Sequence, residues 1–327
     1  MRIVVLAGGV GGSRFTQGVR RAYGDADITV IGNTADDITL HGLRICPDLD
    51  TLMYTLGGGG DTERGWGRVD ESWRAVEELR AYGADNTWFG LGDRDLGTHL
   101  FRTQLLAAGV PLSEVTRRLC ARWWAHDPAL RLLPMSDDPV ETWVDVPDPE
   151  AAEGRRAVHF QEYWVRLRAE PEALAVTRVG IEEARPAPGV EEALAGAELV
   201  LVGPSNPVVS IGPILAVPGI RAALRSTSAP VLGFAGILHG APVLGMAHRL
   251  LPAIGVEVDA GAVGRHYGSR AGGSDGVLDA WVMDTGDETS VGAVEAAGLR
   301  ALVDDLVMSS PDATAAFVRR AVERVAA

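Results

Sequence analysis

Arg2-Ile3-Val4-Val5-Leu6-Ala7-Gly8-Gly9-Val10-Gly11-Gly12-Ser13-Arg14-Phe15 opens the chain, and the fold is decided there. The apolar run is too short for a helix and ends in glycines, so it predicts a buried strand leading into a turn. From Phe15 to Tyr23 apolar residues recur at helical spacing, and residues 28–31 give a second apolar run that ends in Gly32-Asn33. Strand, helix, strand in that order makes the two strands parallel, because parallel neighbours need a crossover connection.

The same grammar returns downstream. Residues 198–202 run into Gly203-Pro204-Ser205-Asn206-Pro207, and Val231-Leu232-Gly233-Phe234 runs into another glycine-bearing loop. Three strand ends thus open into polar turns, and in open parallel sheets ligands bind outside the carboxyl ends of the strands. Between them, residues 72–124 read as helical, with Trp73, Val76 and Leu79 three apart, and Leu112, Val115 and Leu119 three and four apart. Residues 132–178 favour strands at 140–146, 158–165 and 174–178, separated by proline turns. A strand at 278–283 and a helix at 313–325 close the chain. The predicted fold is α/β: a Rossmann-like, mostly parallel sheet flanked by helices, with a helical insertion and an added strand-rich lobe. Residues 1–55 and 198–327 form the nucleotide-binding core of a single domain, 1–327, and residues 56–197 supply the insertion and the lobe.

Composition narrows the chemistry. Among 327 residues, 30 basic side chains face 44 acidic ones for a net charge of −14, and every basic one is arginine. Without lysine there is no Schiff base and no phosphate-loop ammonium, which excludes pyridoxal enzymes and Walker-type NTPases. Acidity without a basic run argues against nucleic acid and anionic lipid as partners and leaves small molecules or proteins. Cys46 and Cys120 are too few for a disulfide framework or a structural zinc site. The opening apolar run is shorter than a signal-peptide core, and no stretch reaches the ~18 apolar residues of a membrane span. The expectation is a soluble cytoplasmic protein, and enzymes of this size are commonly symmetric homodimers.

Five segments can carry chemistry. The loop Gly8-Gly9-Val10-Gly11-Gly12-Ser13-Arg14 lets backbone approach a phosphate beside a helix N-terminus. It fails as a dinucleotide fingerprint, since Arg14 stands where glycine or alanine is required and the second strand ends in Asn33 rather than an acid. A ligand-free tight turn is the plain alternative. Asn33-Thr34-Ala35-Asp36-Asp37 and Pro47-Asp48-Leu49-Asp50-Thr51 place four carboxylates within fifteen positions, a set of oxygens that suits magnesium. Aspartate before a helix is more often an N-cap, and one of Asp48 and Asp50 is expected to be one. In Trp88-Phe89-Gly90-Leu91-Gly92-Asp93-Arg94-Asp95, Asp93 or Asp95 can cap the next helix, and His99 shares a helical face with Asp95. Arg94 and Arg102 either face an anion or pair with the neighbouring aspartates. Met135-Ser136-Asp137-Asp138-Pro139 reads as a solvated turn. Gly203-Pro204-Ser205-Asn206-Pro207 is stiffened by proline before any ligand arrives, which favours phosphate binding over a mere crossover.

Taken in order, these segments resemble the 2-phospho-L-lactate transferase family of coenzyme F-420 biosynthesis. The match covers GGxGG at residues 8–12, NTxDD at 33–37, PDLDT at 47–51, GWG at 65–67 and LGDRD at 91–95. It continues with THxxRT at 98–103, PMSDDPVxT at 134–142, FQxYWV at 160–165 and GPSNP at 203–207. The resemblance implies transfer of a phospholactyl or phosphoenolpyruvyl group from a guanosine diphosphate-linked donor to the ribityl hydroxyl of a deazaflavin, with GMP released and Mg2+ as cofactor. It places Asp50, with Asp48 as second candidate, at the reacting hydroxyl and Gly9, Gly11, Gly12, Ser205 and Asn206 on the phosphates. Asp50, Trp88, Phe89 and Gly90 fall on the acceptor, and Asp50 and Asp37 on the metal. The chain departs from the family at Gly90, where lysine can stand. It departs again at residues 234–247, where a serine and a proline are replaced and His239 appears. Residues 266–276, including Ser274, look longer than in relatives and are expected to form a mobile flap. The same architecture also suits a non-catalytic nucleotide or nucleotide-sugar-binding regulator of the related gluconeogenesis-factor family, or a paralogous transferase with another acceptor.

Overall fold

The computed structural model describes residues 1–273 and 275–326, so Ser274 lies outside the described residues. Seven parallel strands form the central sheet: β1 (Arg2–Ala7), β2 (Asp27–Gly32), β3 (Leu130–Pro134), β4 (Leu199–Val202), β5 (Val231–Phe234), β6 (Ala280–Asp284) and β7 (Arg300–Asp304). Their spatial order is β7-β6-β5-β4-β1-β2-β3. The apolar runs read from sequence are the inner strands. β4, β5 and β6 are buried along their whole length, as strands covered on both faces must be. The edge strands β3 and β7 keep partly exposed residues.

The sequence order of strands reverses between β1 and β4, which pair directly, Leu6 opposite Val202. The glycine loop after β1 and the Gly203-Pro204 loop after β4 therefore leave the sheet side by side, at the point where a doubly wound sheet opens a crevice. Helix α1 (Gly9–Ala22) packs between α2 (Pro47–Leu56) and the terminal helix α6 (Pro311–Ala326). Phe15, Phe234 and Phe317 stack below the glycine loop with ring centroids 4.8 to 6.4 Å apart. That cluster ties α1 and α6 to β5, which fixes the floor of the crevice.

The insertion holds α3 (Arg74–Ala81), α4 (Asp93–Ala107) and α5 (Leu112–Trp123). The expected boundary of the core at residue 55 needs correcting, because β3 lies inside the segment assigned to insertion and lobe, yet pairs with β2. The lobe itself is a three-stranded antiparallel sheet with Glu141–Pro147 between Arg155–His159 and Ala175–Val179. The strand expected over residues 158–165 stops at His159, and Glu162–Arg166 winds as a short π-helix that buries Tyr163. A hairpin of Ile38–Leu40 and Leu43–Ile45 turns at His41 and Gly42, both with positive φ as a tight two-residue turn demands, and leads into α2.

Two other expectations are revised. Only part of residues 135–139 is a solvated turn: Asp138 and Pro139 are exposed, but Ser136 is fully buried, its hydroxyl accepts from the Asp138 N–H, and Asp137 accepts from both the amide and the hydroxyl of Ser113. The described part of residues 266–276 is pinned rather than loose. Arg270 holds Asp279 at 2.9 Å and donates to the carbonyls of Leu224, Thr227 and Ala229. This segment precedes β6, so it lies at the amino ends of the strands, away from the crevice. Among the described residues no helix is long and apolar enough to cross a membrane.

Candidate active site

The glycine loop and α2 are joined at the crevice by buried polar contacts. Gly9 has φ +62°, a backbone state that a side chain disfavours, and a Cβ at Gly12 would collide with the Ser205 hydroxyl and Ala7. Ser205 uses its hydroxyl twice, accepting from the Gly8 N–H at 3.0 Å and donating to the Gly8 carbonyl at 2.8 Å. It clamps the two strand-end loops together, so its expected place on the phosphates becomes one of holding the loop that would meet them. Asn206 accepts from the amides of Val208 and Val209 through Oδ1 and points its residue into the cavity. Asn33, fully buried at the end of β2, donates to Asp48 Oδ2 at 2.9 Å and to the Val209 carbonyl at 3.0 Å. Asp48 and Ser210 pack against Gly8, where a Cβ would collide with Asp48 Oδ2 and the Ser210 side chain.

Neither Asp48 nor Asp50 is the helix cap expected from sequence. α2 is preceded by Cys46, carries Pro47 in its first turn and has no side-chain cap, while both aspartates sit inside that turn, buried. Proline pre-sets the first turn and spares a backbone donor, so the helix can start without a cap. Nor does Asp95 cap α4, which starts after Gly92. Asp93 instead accepts from the amides of Arg74 and Ala75 and so caps α3 from outside.

Helix α4 crosses α2 and brings a charged set to Asp50. Arg102, only 1% exposed, donates to Asp50 Oδ1, to the Arg44 carbonyl at 3.3 Å and toward His99 Nδ1 at 3.2 Å. An arginine can only donate, so His99 Nδ1 accepts there and the ring carries its proton on Nε2, which lies 3.4 Å from Asp95 Oδ2. Asp95 also accepts from the Tyr54 hydroxyl at 2.6 Å. Asp50, Asp95 and His99 offer ligand atoms within 4.8 Å of one another.

Burial is the largest influence on these acids. It pushes Asp48 up to about 6 and Asp37 up to about 7, and it raises Asp36 and Asp50 despite Arg102 and His99 beside Asp50. Burial would also raise Asp95, but His99 and Tyr54 outweigh it and hold it below the usual carboxylate range. Asp50 Oδ2, Asp36 Oδ1 and His99 Nε2 are buried with no hydrogen-bond partner.

One cavity of about 610 Å³ joins these groups. Gly9, Gly11, Asp48, Asp50, Ser205 and Asn206 line it together, so six of the residues singled out from sequence meet at the switch point. Phe89 and Gly90 line it on the insertion side, facing Phe160, Gln161 and Trp164 from the lobe. Three expected residues stand elsewhere. Gly12 is buried behind the loop. Asp37 is turned to Arg44, 3.5 Å away, behind the wall. Trp88 packs edge-on to Phe89 and donates to Asn86 Oδ1, against the small cluster of Ile38, Leu40 and Ile45. The indole that the insertion presents to the cavity is that of Trp66, 45% exposed and close to Gly90, which the flanking Gly65 and Gly67 could have flagged. In the altered loop, Leu244 and Gly245 reach the cavity, while His239 is engaged with Asp284 at 2.7 Å.

Residues 3–312 match the family described as 2-phospho-L-lactate transferase CofD. The chain belongs to that family. It is 58% identical over 323 residues to a phosphoenolpyruvate transferase of Streptomyces griseus, covering 99% of this chain and 98% of the relative. It is 52% identical to a phosphoenolpyruvate transferase of Mycolicibacterium smegmatis, covering 99% and 98%. A solved structure of a UPF0052 family member from Bacillus halodurans superposes with a TM-score of 0.65 at 16% identity, over 97% of this chain and 98% of that one, a likeness of fold. Membership of the CofD family makes the protein a transferase and sets the regulator alternative aside. In this CofD-family chain the matching motifs are those that line or brace the cavity, from the glycine loop through residues 47–51 to residues 203–207.

Proposed function

We propose that the protein transfers a phosphoenolpyruvyl or phospholactyl unit from a guanosine diphosphate-linked donor to the ribityl hydroxyl of a deazaflavin alcohol, with magnesium, as a step of coenzyme F-420 biosynthesis. The names of the relatives from Streptomyces griseus and Mycolicibacterium smegmatis favour phosphoenolpyruvyl. The observation that carries the reading is the convergence of the glycine loop, the Gly203-Pro204 loop and the aspartates of α2 on one cavity at the switch point. In the reaction the acceptor hydroxyl oxygen bonds to the phosphorus that bears the organic acid. The bond from that phosphorus to the bridging oxygen breaks, the electron pair leaves with GMP, and the hydroxyl proton is released. The loop amides at the N-terminus of α1 receive the diphosphate, which costs no reorganisation because the Ser205 clamp has already fixed them. Asp50 holds the acceptor hydroxyl and assists departure of its proton, with Asp48 as the second carboxylate in reach of the loop.

The residues suit a hard cation. Asp36, Asp48 and Asp50 face the cavity with pKa values raised by burial, and two of them have an oxygen without a partner. Oxygen donors crowded in this way are relieved by a divalent ion. Asp50 would hold it, with Asp36 and Asp48 nearer than Asp37, which is spent on Arg44. Magnesium, when bound, supplies charge neutralisation of the diphosphate. Trp66 and Phe89 offer flat apolar walls for a tricyclic acceptor. The test is incubation of the protein with deazaflavin alcohol, guanosine diphosphate-linked phosphoenolpyruvate or phospholactate and magnesium. GMP and the mass of the phosphodiester should appear together and vanish with chelator. Absence of both products with either donor overturns the reading.

A further inference from the structure

One cavity residue of the glycine loop has no work in the scheme above. Arg14 occupies the sixth position of α1, half-buried, and lines the cavity. Side chains on a helix lean toward its N-terminus, which carries Arg14 back over the loop where the diphosphate is received. Among the described residues it makes no hydrogen bond, ion pair or stacking contact. Arg64, the other arginine on the cavity, is occupied: it meets Asp61 at 2.9 Å, donates to the Arg68 carbonyl at 2.7 Å and lies over the rings of Trp66 and Trp73. The remaining charged groups on the wall include Asp36, Asp48, Asp50, Asp95 and Glu63. A guanidinium left uncommitted on an acid-rich wall calls for an anion from the ligand.

The donor proposed above carries two kinds of anion. Its diphosphate is met by backbone amides and the helix N-terminus. Its organic-acid carboxylate has no partner in that scheme, and a planar guanidinium fork matches a carboxylate bidentately. We propose that Arg14 binds the carboxylate of the transferred acid and makes the enzyme select an acid-bearing donor over a neutral one. This rests on the transfer reaction proposed above. A site built to bond one polar group rejects the analogue that lacks it, because the group is left unpaired.

The test is calorimetric binding of GDP, of guanosine diphosphate-linked phosphoenolpyruvate, and of its carboxamide analogue to the full chain and to Arg14→Gln and Arg14→Lys. Wild type should prefer the acid over the carboxamide by about tenfold to a hundredfold, the factor of a charge-assisted pair. Arg14→Gln should lose that preference while its GDP affinity and melting temperature stay those of wild type, since the side chain braces nothing. Arg14→Lys should recover part of the preference. A Gln variant that keeps the full preference overturns the proposal, and so does one that loses GDP as strongly as it loses the acid donor, which would place Arg14 on the diphosphate. A wild type that binds the acid donor with this preference but releases no GMP overturns the transfer reaction and leaves the carboxylate assignment standing. A wild type that binds neither nucleotide overturns both.

Discussion

The wall at the β1–β4 switch point meets the cavity with backbone amides, neutral polar groups and the one non-titrating charge of Arg14, whereas the wall on α2 and α4 meets it with buried carboxylates, an imidazole and, behind Asp50, a guanidinium. The first is made of contiguous residues whose shape glycine and proline determine locally. The second is assembled from positions as far apart as Asp50 and Arg102, each of which would be costly where it stands without the other. One wall is therefore pre-formed and indifferent to pH; the other is held by mutual charge and should respond to every change of charge.

The largest effect expected is on the second wall. Arg102→Met leaves Asp50 without its guanidinium in a buried site, and loss of one partner of such a pair costs about 3–5 kcal/mol. Urea unfolding should show the shift in midpoint; a variant as stable as wild type would mean that Asp50 is neutral or otherwise satisfied. Next comes Asp50→Asn, which keeps the shape and a hydrogen-bond acceptor for Arg102 but not the charge. GMP release should fall by about a hundredfold or more, the range of a general acid–base group, and the melting temperature should fall as well, because Arg102 keeps its buried charge without the carboxylate. Full activity in the Asn variant would remove Asp50 from the reacting hydroxyl.

How much of each wall the sequence discloses follows the same division. The strand-turn-helix at residues 2–22 and the Gly203-Pro204 turn are legible because their signals are adjacent in the chain. The carboxylates of α2 are legible as a pair, and Asp95 with His99 as an i, i+4 face. That Tyr54, Asp95, His99 and Arg102 surround Asp50 depends on where α4 crosses α2, which no spacing within either helix encodes. β3 is missed as a core strand because residues 130–134 fall between the helical insertion and the lobe, and a short edge strand with partly exposed residues does not signal which sheet it joins. Ser136 reads as part of a surface turn yet is buried, because it follows the carboxyl end of β3 and the chain there returns to Ala35, whose carbonyl accepts from the Thr142 amide at 2.7 Å. Trp88 and Trp66 are alike as residues; only the path of the insertion decides which one faces the cavity.

The charged wall also predicts a pH dependence of the wild type. Asp37 and Asp48, at about 7 and about 6, lie above the usual unfolded value of about 3.9, and Asp36 and Asp50 are raised as well. Below about pH 4 both states keep these protons and nothing is lost. Between about pH 4 and 7 the unfolded chain releases them while the folded chain still holds them, so these groups make stability fall as pH rises, and the fall stops once the folded carboxyls ionise too. The loss should be read as a melting temperature that declines across that window, and Asp37→Asn should remove part of the slope. Magnesium at pH 7.5 should restore part of the loss if the cavity acids hold it. A flat profile in wild type would mean that water or ions already reach these carboxyls.

The smallest effect belongs to the first wall, and it sharpens the contrast most directly. Ser205→Ala removes both hydrogen bonds to Gly8, yet it leaves no buried charge behind, so its stability cost should be about 1 kcal/mol. The same change should raise KM for the diphosphate donor several-fold with kcat less affected, because the amides of the glycine loop lose the clamp that aims them while Asp50 and its partners on α4 are untouched. Its dependence of melting temperature on pH should run parallel to that of wild type. A change in that slope would show that the two walls are coupled through Gly8, which packs against Asp48, and the division between a shape-determined wall and a charge-determined one would then have to be redrawn at Asp48.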